Sequence, residues 1–126
     1  GGYLTFEGYR LLPEGSYRAG DTLEVVTYWR ADGEQVPGLR LFAHLSRNPN
    51  IAPALQNDIL NIESSLLRDR DVFIQIITLP LPADFPSGEY FLSIGAYSER
   101  DGQRLPIYDG EVPRGDRLFL DKIRVE

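Results

Sequence analysis

The sequence contains no cysteine and no methionine, and it has one histidine and one tryptophan among its 126 residues. Without cysteine, the chain forms no disulfide, no thiolate metal site and no cysteine nucleophile. A single histidine, His44, excludes metal sites with several histidine ligands and leaves at most one base for a catalytic triad. Because methionine is absent, we expect the chain to be a domain of a longer protein.

Long apolar runs and an excess of basic residues are also missing. No run approaches the roughly 18 apolar residues of a transmembrane helix, so we expect no direct insertion of this domain into a membrane. Thirteen Lys and Arg residues against nineteen Asp and Glu give a net charge of −6, which argues against nucleic acid as a partner. The length and the 42% hydrophobic content fit one folded domain over residues 1–126, in which Gly1 and Gly2 carry no structural weight.

Alternation of apolar and polar residues with a period of two predicts an all-β fold. The clearest strand follows a turn at residues 86–88, and Tyr90, Leu92, Ile94 and Ala96 share one of its faces. Further strands are predicted at residues 3–12 with a bulge at Gly8, at 22–31, 39–46, 72–79 and 104–108, and at 117–125 with a bulge near Asp121.

Seven or eight short strands with at most one short helix describe an antiparallel, immunoglobulin-like β-sandwich. Trp29 is its largest core candidate, and Gly88 allows the chain reversal before Tyr90. Tyr90 is placed to form a tyrosine corner, in which its hydroxyl bonds back to the backbone of the turn. The alternative is a partly buried aromatic side chain with its tip in water.

Four segments need separate interpretation. Residues 47–71 contain loop-like prolines, but Leu55, Ile59, Ile62 and Leu66 recur at helical spacing with Asp58 as a possible N-cap, so we expect a short edge strand, a helical turn or both. Residues 72–79 are apolar on both sides, which predicts a strand covered on both faces. Residues 104–108 are predicted to return antiparallel to the strand of Tyr90, with Pro106 at a sheet edge or a bulge, and residues 109–116 to form a polar loop.

Five segments follow one another along nearly the whole chain: GDTLEVVTYWRA at 20–31, LRLFAHLS at 39–46, LPLPADFPSGEYFLSIGAYS at 79–98, GQRLPIYDG at 102–110 and GDRLFLDKIRV at 115–125. In this succession the chain resembles the extracytoplasmic β-sandwich domain at the C-terminal end of bacterial membrane glycosyltransferase-like proteins of the dolichyl-phosphate-mannose mannosyltransferase type. Residues 41–45 match the family's aromatic-Val-His-Leu strand, and residues 56–58 match its Gln-x-Asp element. Residues 65–71 stand where the family has a Trp-x-Pro-Gly turn.

The resemblance implies an extracytoplasmic module that is tethered to the membrane domain of the same polypeptide. It transfers no established activity. Its two matching motifs contain His44, Gln56 and Asp58, which we take as candidate ligand-binding residues. For His44 the other interpretations are a structural or surface role and a triad base, although the chain has no Gly-x-Ser-x-Gly motif.

Two further groups of residues are candidates for a site. Exposed aromatic rings stack on sugars in many sandwich modules, and Tyr28, Tyr97 and Tyr108 are placed to do so, with plain packing as the alternative. Loop carboxylates are open to three interpretations: solvated charges, a weak calcium site or a glycosidase pair. They are Asp101, Asp109, Glu111 and Asp116.

These observations predict a non-catalytic accessory module of a membrane glycosyltransferase-like protein, without a cofactor. The alternative is a carbohydrate-binding β-sandwich module whose partner is a glycan. A third hypothesis is an enzyme that acts on glycosides.

Overall fold

The computed structural model describes residues 3–35, 37–48, 52–59, 66–100 and 102–126. The chain is all-β in these ranges, and none of them contains a helix with the length and apolar character needed to cross a membrane. Its strands are β1 (Tyr3–Leu12), β2 (Thr22–Asp32), β3 (Leu39–Ser46), β4 (Leu55–Ile59), β5 (Val72–Pro80), β6 (Gly88–Ser98), β7 (Ile107–Asp109), β8 (Val112–Pro113) and β9 (Leu118–Val125).

The strands form two sheets. One has the order β5-β2-β1-β7-β8 and the other the order β4-β3-β6-β9. Neighbouring strands are antiparallel except for β7, which runs parallel to β1. The predicted all-β sandwich is confirmed. The described residues hold nine strands where seven or eight were expected, because the polar loop at 109–116 contains the two-residue strand β8.

The core lies between the inward faces of the two sheets. Trp29 is 1% exposed, as predicted, and its ring packs edge-on against Phe6 with the centroids 5.4 Å apart. Its indole N–H donates to Thr27 Oγ1 at 2.7 Å, and that hydroxyl donates to the carbonyl of Gln75 at 3.0 Å. The buried polar groups around Trp29 are therefore paired, which removes the desolvation penalty that an unpaired N–H would carry.

The predicted alternation of β6 is confirmed, since Tyr90, Leu92, Ile94 and Ala96 are each at most 1% exposed. Both predicted bulges are also present. The register of β1 against β2 shifts between Phe6 and Gly8, and that of β6 against β9 shifts between Leu92 and Ser93. The second shift leaves Leu120 without a paired residue in β6, and Leu120 is next to the predicted bulge position at Asp121.

The tyrosine corner at Tyr90 is confirmed, because its hydroxyl donates to the carbonyl of Pro86 at 2.7 Å. Gly88 in this turn has φ +144°, and the Arg47 guanidinium lies 5.1 Å from the centre of the Tyr90 ring. A second corner was not predicted: the Tyr17 hydroxyl donates to the carbonyl of Pro13, also four residues earlier. Tyr90 thus fixes its turn to β6, and Tyr17 fixes its turn to the isolated bridge that it forms with Val125.

The prediction that residues 72–79 are covered on both faces is wrong. In β5, Val72, Ile74 and Ile76 are 70%, 57% and 43% exposed. Branched apolar side chains pack well on a pleated surface even where that surface is only half-buried, so composition alone does not show that both faces are covered.

The prediction that residues 104–108 return antiparallel to β6 is wrong beyond its first contact. Tyr97 forms one bridge with Arg104, and the Leu105 amide donates to the Ala96 carbonyl at 2.9 Å. The chain then crosses to the other sheet, where β7 pairs with β1. Leu105 and Ile107 are 5% and 0% exposed, so the crossing buries two apolar side chains that a strand at the edge would leave half exposed.

The irregular stretch at 47–71 contains the short strand β4, which lies at the edge of its sheet, so the edge-strand alternative is confirmed. Asp58 lies within β4, and its assignment as a helix N-cap is wrong. Ile62 of the helical pattern lies outside the described residues, as do Gly1 and Gly2.

We expect Tyr90→Phe to lower the free energy of unfolding by about 1 kcal/mol, because it removes one hydrogen bond to the turn carbonyl. Urea denaturation followed by the fluorescence of Trp29, the only tryptophan, measures this change. The matched control is Tyr28→Phe on the outward face of β2, which should change the free energy by less than about 0.5 kcal/mol. Equal midpoints for wild type and Tyr90→Phe would contradict the role of the corner.

Candidate ligand-binding cleft

A cleft of about 420 Å³ lies on the outward face of the four-stranded sheet. The register of the strands places its walls side by side, since His44 pairs with Gln56 and Phe42 with Asp58. Directly paired residues of antiparallel strands project to the same face. The described residues that line the cleft are Phe42, His44, Gln56, Asn57, Asp58, Tyr97, Gly102 and Arg104.

Phe42 forms the floor of the cleft. It projects from the outward face of β3 but is only 4% exposed, because its ring lies over Gly95 of the neighbouring strand. A Cβ atom at position 95 would stand 2.2 Å from Cζ of Phe42. Gly95 is therefore required for lack of space, and the ring fills the volume that a side chain would take.

Three groups surround the Phe42 ring. The centre of the His44 ring is 4.5 Å away and that of the Tyr97 ring 6.4 Å away. Cζ of Arg104 lies 4.9 Å from the ring centre, within the distance of a cation–π contact. Phe42 thus orients two half-buried rings and one guanidinium group around a single apolar surface.

Tyr97 closes one wall of the cleft. Its hydroxyl donates to Oδ2 of Asp58, which links β6 to β4 across the intervening strand β3. Burial, followed by this hydrogen bond and the Asp58 charge, raises the pKa of Tyr97 to about 12. Tyr97 is therefore a neutral phenol near pH 7 and a hydrogen-bond donor, not a base.

His44 is half-buried in the opposite wall. Burial lowers the pKa of His44 below its ordinary value, and the positive charges of Arg104 and Arg117 lower it further, while Asp58 acts in the other direction. The imidazole is therefore mainly neutral at pH 7, and its two nitrogens offer one donor and one acceptor. Uncharged donors and acceptors of this kind suit hydroxyl groups.

Four of the six candidate ligand-binding residues lie together in this cleft: His44, Gln56, Asp58 and Tyr97. The other two lie elsewhere. Tyr28 is on the outward face of the five-stranded sheet, where it pairs with Ile74, and Tyr108 packs against Tyr3 with the ring centres 4.5 Å apart. The structure thus separates the three tyrosines that alternation alone had grouped as exposed aromatics.

Sequence reasoning missed Phe42 and Arg104. The alternation of β3 already put Phe42 on the face of His44, and that signal could have identified it. Arg104 could not be found in this way, because it reaches the cleft through the single bridge with Tyr97 before the chain changes sheet.

Among the described residues, the loop carboxylates do not form a metal site. Asp109 lies 3.4 Å from Arg114, and Asp116 lies 4.0 Å from Arg104, while Glu111 is exposed. Asp101 lies outside the described residues. Among the residues that are described, no group of three or more histidine, aspartate or glutamate side chains is arranged to hold a metal ion.

Comparison of the chain with protein-family models found no match, and comparison with curated proteins found none either. The resemblance to the glycosyltransferase-associated domain therefore stays a prediction.

We expect Gly95→Ala to destabilise the domain by about 1–3 kcal/mol, because the new methyl group overlaps the Phe42 ring. Urea denaturation measures the loss. Phe42→Ala in the Gly95→Ala background is the matched test, since it removes the overlap with the ring and leaves the close approach to the Asp116 carbonyl oxygen at 2.9 Å. The two changes should then be non-additive, with the double variant less destabilised than the sum of the single ones. Strict additivity would contradict the proposed packing.

We expect the His44 imidazole to titrate below the ordinary histidine pKa of about 6.5. As the only histidine, it gives one unambiguous ring signal in a proton NMR titration. Arg104→Gln removes a nearby positive charge and should move the midpoint upward. Arg10→Gln, on an exposed position of β1, should leave the midpoint unchanged. A midpoint above 6.5 in the wild type would contradict this electrostatic description.

The same shift has a consequence for stability. Because the His44 pKa is lower in the folded chain than in the unfolded one, the unfolded chain binds the proton more readily. Its contribution to stability is therefore present above about pH 6.5 and is lost as the pH falls through the folded pKa. Urea denaturation from pH 7.5 down to about 5 should show a shallower decline for His44→Gln than for the wild type. Parallel curves would contradict this.

Proposed function

We propose that the chain is a non-catalytic carbohydrate-binding module and that the cleft over Phe42 is its sugar site. The observation that carries the proposal is the juxtaposition of half-buried aromatic rings and neutral hydrogen-bonding groups on one open sheet face. His44, Tyr97, Gln56 and Asp58 come from three different strands, and the register brings them to one cleft.

The size of the cleft supports a small ligand. Its volume of about 420 Å³ lies within the roughly 300–1,000 Å³ of small-molecule sites. A sugar presents an apolar C–H face and a rim of hydroxyls. The Tyr97 and His44 rings offer surfaces for the C–H face, and the exposed Gln56 and Asp58 side chains offer acceptors and donors for the hydroxyls.

The proposal excludes glycoside hydrolysis at this cleft for a chemical reason. Canonical hydrolysis uses two carboxyl groups on opposite sides of the scissile bond. Among the described residues that line the cleft, Asp58 supplies the only carboxylate, and it already accepts a hydrogen bond from Tyr97. Tyr97, with its raised pKa, is a poor nucleophile near neutral pH.

A second candidate function is an accessory role in a membrane glycosyltransferase-like protein. It is supported by the succession of resembling segments and by the two matching motifs at 41–45 and 56–58, which both contribute side chains to the cleft. In that setting the module is extracytoplasmic, its partner is the membrane domain of the same polypeptide, and the cleft contacts the acceptor glycan. A parent reading frame with a run of transmembrane segments supports this role, and one that encodes a soluble enzyme contradicts it.

We expect the purified domain to bind members of a glycan panel and Tyr97→Ala to reduce that binding at least about tenfold, since one aromatic contact and one hydrogen bond are removed. Trp29 fluorescence checks that the variant is folded. Tyr28→Ala and Tyr108→Ala, which remove tyrosines outside the cleft, are the matched controls and should bind as the wild type does.

Binding that Tyr28→Ala or Tyr108→Ala abolishes while Tyr97→Ala preserves it would move the site to another face. The absence of binding to every glycan on the panel would overturn the carbohydrate-binding proposal. Turnover of a glycoside by the purified domain would overturn its non-catalytic part.

A further inference from the structure

Arg104 gives the described lining of the cleft a positive charge. We infer that the preferred ligand is an acidic sugar, a uronic acid or a glycan that contains one, and that the Arg104 guanidinium receives its carboxylate. This inference rests on the proposed carbohydrate-binding function and names the class of sugar within it.

The placement of Arg104 is the first support. Cζ of Arg104 lies 4.9 Å from the centre of the buried Phe42 ring, so an apolar surface lies against one side of the guanidinium group. The N–H bonds of a guanidinium group lie in its plane and point outward from its edges. A planar carboxylate accepts two parallel hydrogen bonds from such an edge, a geometry that neither lysine nor a neutral amide reproduces.

The weakness of the ion pair that Arg104 already makes is the second support. Its nearest charged partner among the described residues is Asp116, with Nη1 and Oδ1 4.0 Å apart. This separation is longer than the roughly 2.7–3.2 Å of a hydrogen bond. The side chains of both residues are exposed, at 41% and 62%, so this ion pair is worth little in water. A ligand carboxylate can therefore replace Asp116 at small cost.

The charges that surround the cleft are the third support. Arg104 and Arg117 both act on His44 as positive charges. Asp58 on β4 opposes them, but its carboxylate accepts a hydrogen bond from Tyr97. Arg40 on β3 lies 3.3 Å from Glu99, so these two charges largely offset each other. At His44 the two arginines outweigh Asp58, which favours an anion beside this ring.

The test is an NMR titration of the whole 126-residue chain with four monosaccharide probes, observed through the single His44 ring signal. The probes are D-glucuronate, its methyl ester, D-glucose and D-glucose 6-phosphate. The ester keeps the ring and the hydroxyls and removes the charge. We expect glucuronate to bind at least about tenfold more tightly than its ester or glucose, as a charged hydrogen-bonded pair predicts. Bound carboxylate should also raise the His44 titration midpoint, because a nearby negative charge favours the imidazolium.

Arg104→Gln should abolish the preference for glucuronate over its ester, and the matched charge control Arg10→Gln should retain it. A preference that persists in Arg104→Gln would overturn the assignment of Arg104. Tighter binding of glucose 6-phosphate than of glucuronate would overturn the carboxylate class in favour of a sugar phosphate.

The two proposals fail in different ways. Equal binding of glucuronate, its ester and glucose overturns the acidic-sugar inference and leaves the carbohydrate-binding proposal standing. The absence of binding by glucuronate overturns the inference as well, and the glycan panel then decides the wider proposal by itself. Binding of glucuronate that Tyr97→Ala leaves intact would separate the anion site from the sugar site and overturn the inference that one cleft holds both.

Discussion

The contact between the Phe42 ring and the bare Cα of Gly95 is the constraint on which the outward face of the four-stranded sheet depends. An aromatic side chain on the outside of a sandwich normally stands in solvent, but here the neighbouring strand offers a gap of matching size, and the ring is 4% exposed. The buried ring then supplies an apolar base on which Arg104, His44 and Tyr97 are arranged. Phe42 therefore gives this part of the outward face an apolar base among polar side chains.

The chemistry of the cleft follows from its partial burial. Desolvation favours the neutral forms of both His44 and Tyr97, so the walls carry uncharged donors and acceptors near pH 7. The charged side chains among the described residues of the lining are Asp58, which accepts a hydrogen bond from Tyr97, and Arg104, whose guanidinium lies near the Phe42 ring and is weakly paired. The described lining of the cleft therefore offers neutral hydrogen-bonding groups beside two opposite charges.

Alternation in the sequence was sufficient for β1, β2, β3, β6 and β9, since most of their inward residues are apolar. Bulges interrupt the pattern at Gly8 and near Asp121. It failed for β5, where Ile74 and Ile76 are apolar but exposed. It also failed for residues 104–108, because the sequence does not show which edges of β6 other strands occupy. The candidate site was partly predictable: His44, Gln56, Asp58 and Tyr97 were named, but Arg104 depends on a change of sheet that no local pattern records.

Arg104 lies on the connection that leads the chain from β6 in one sheet to β7 in the other. If the cleft binds the proposed ligand, this position would link occupancy of the cleft to the lifetime of the fold. Leu105 and Ile107, immediately after it, enter the core between the sheets. An occupant that holds the guanidinium against Phe42 also restrains the segment that must move when the two sheets separate. A filled cleft would therefore slow unfolding and protect the connection from proteases, so that the domain would last longest in an environment rich in its ligand.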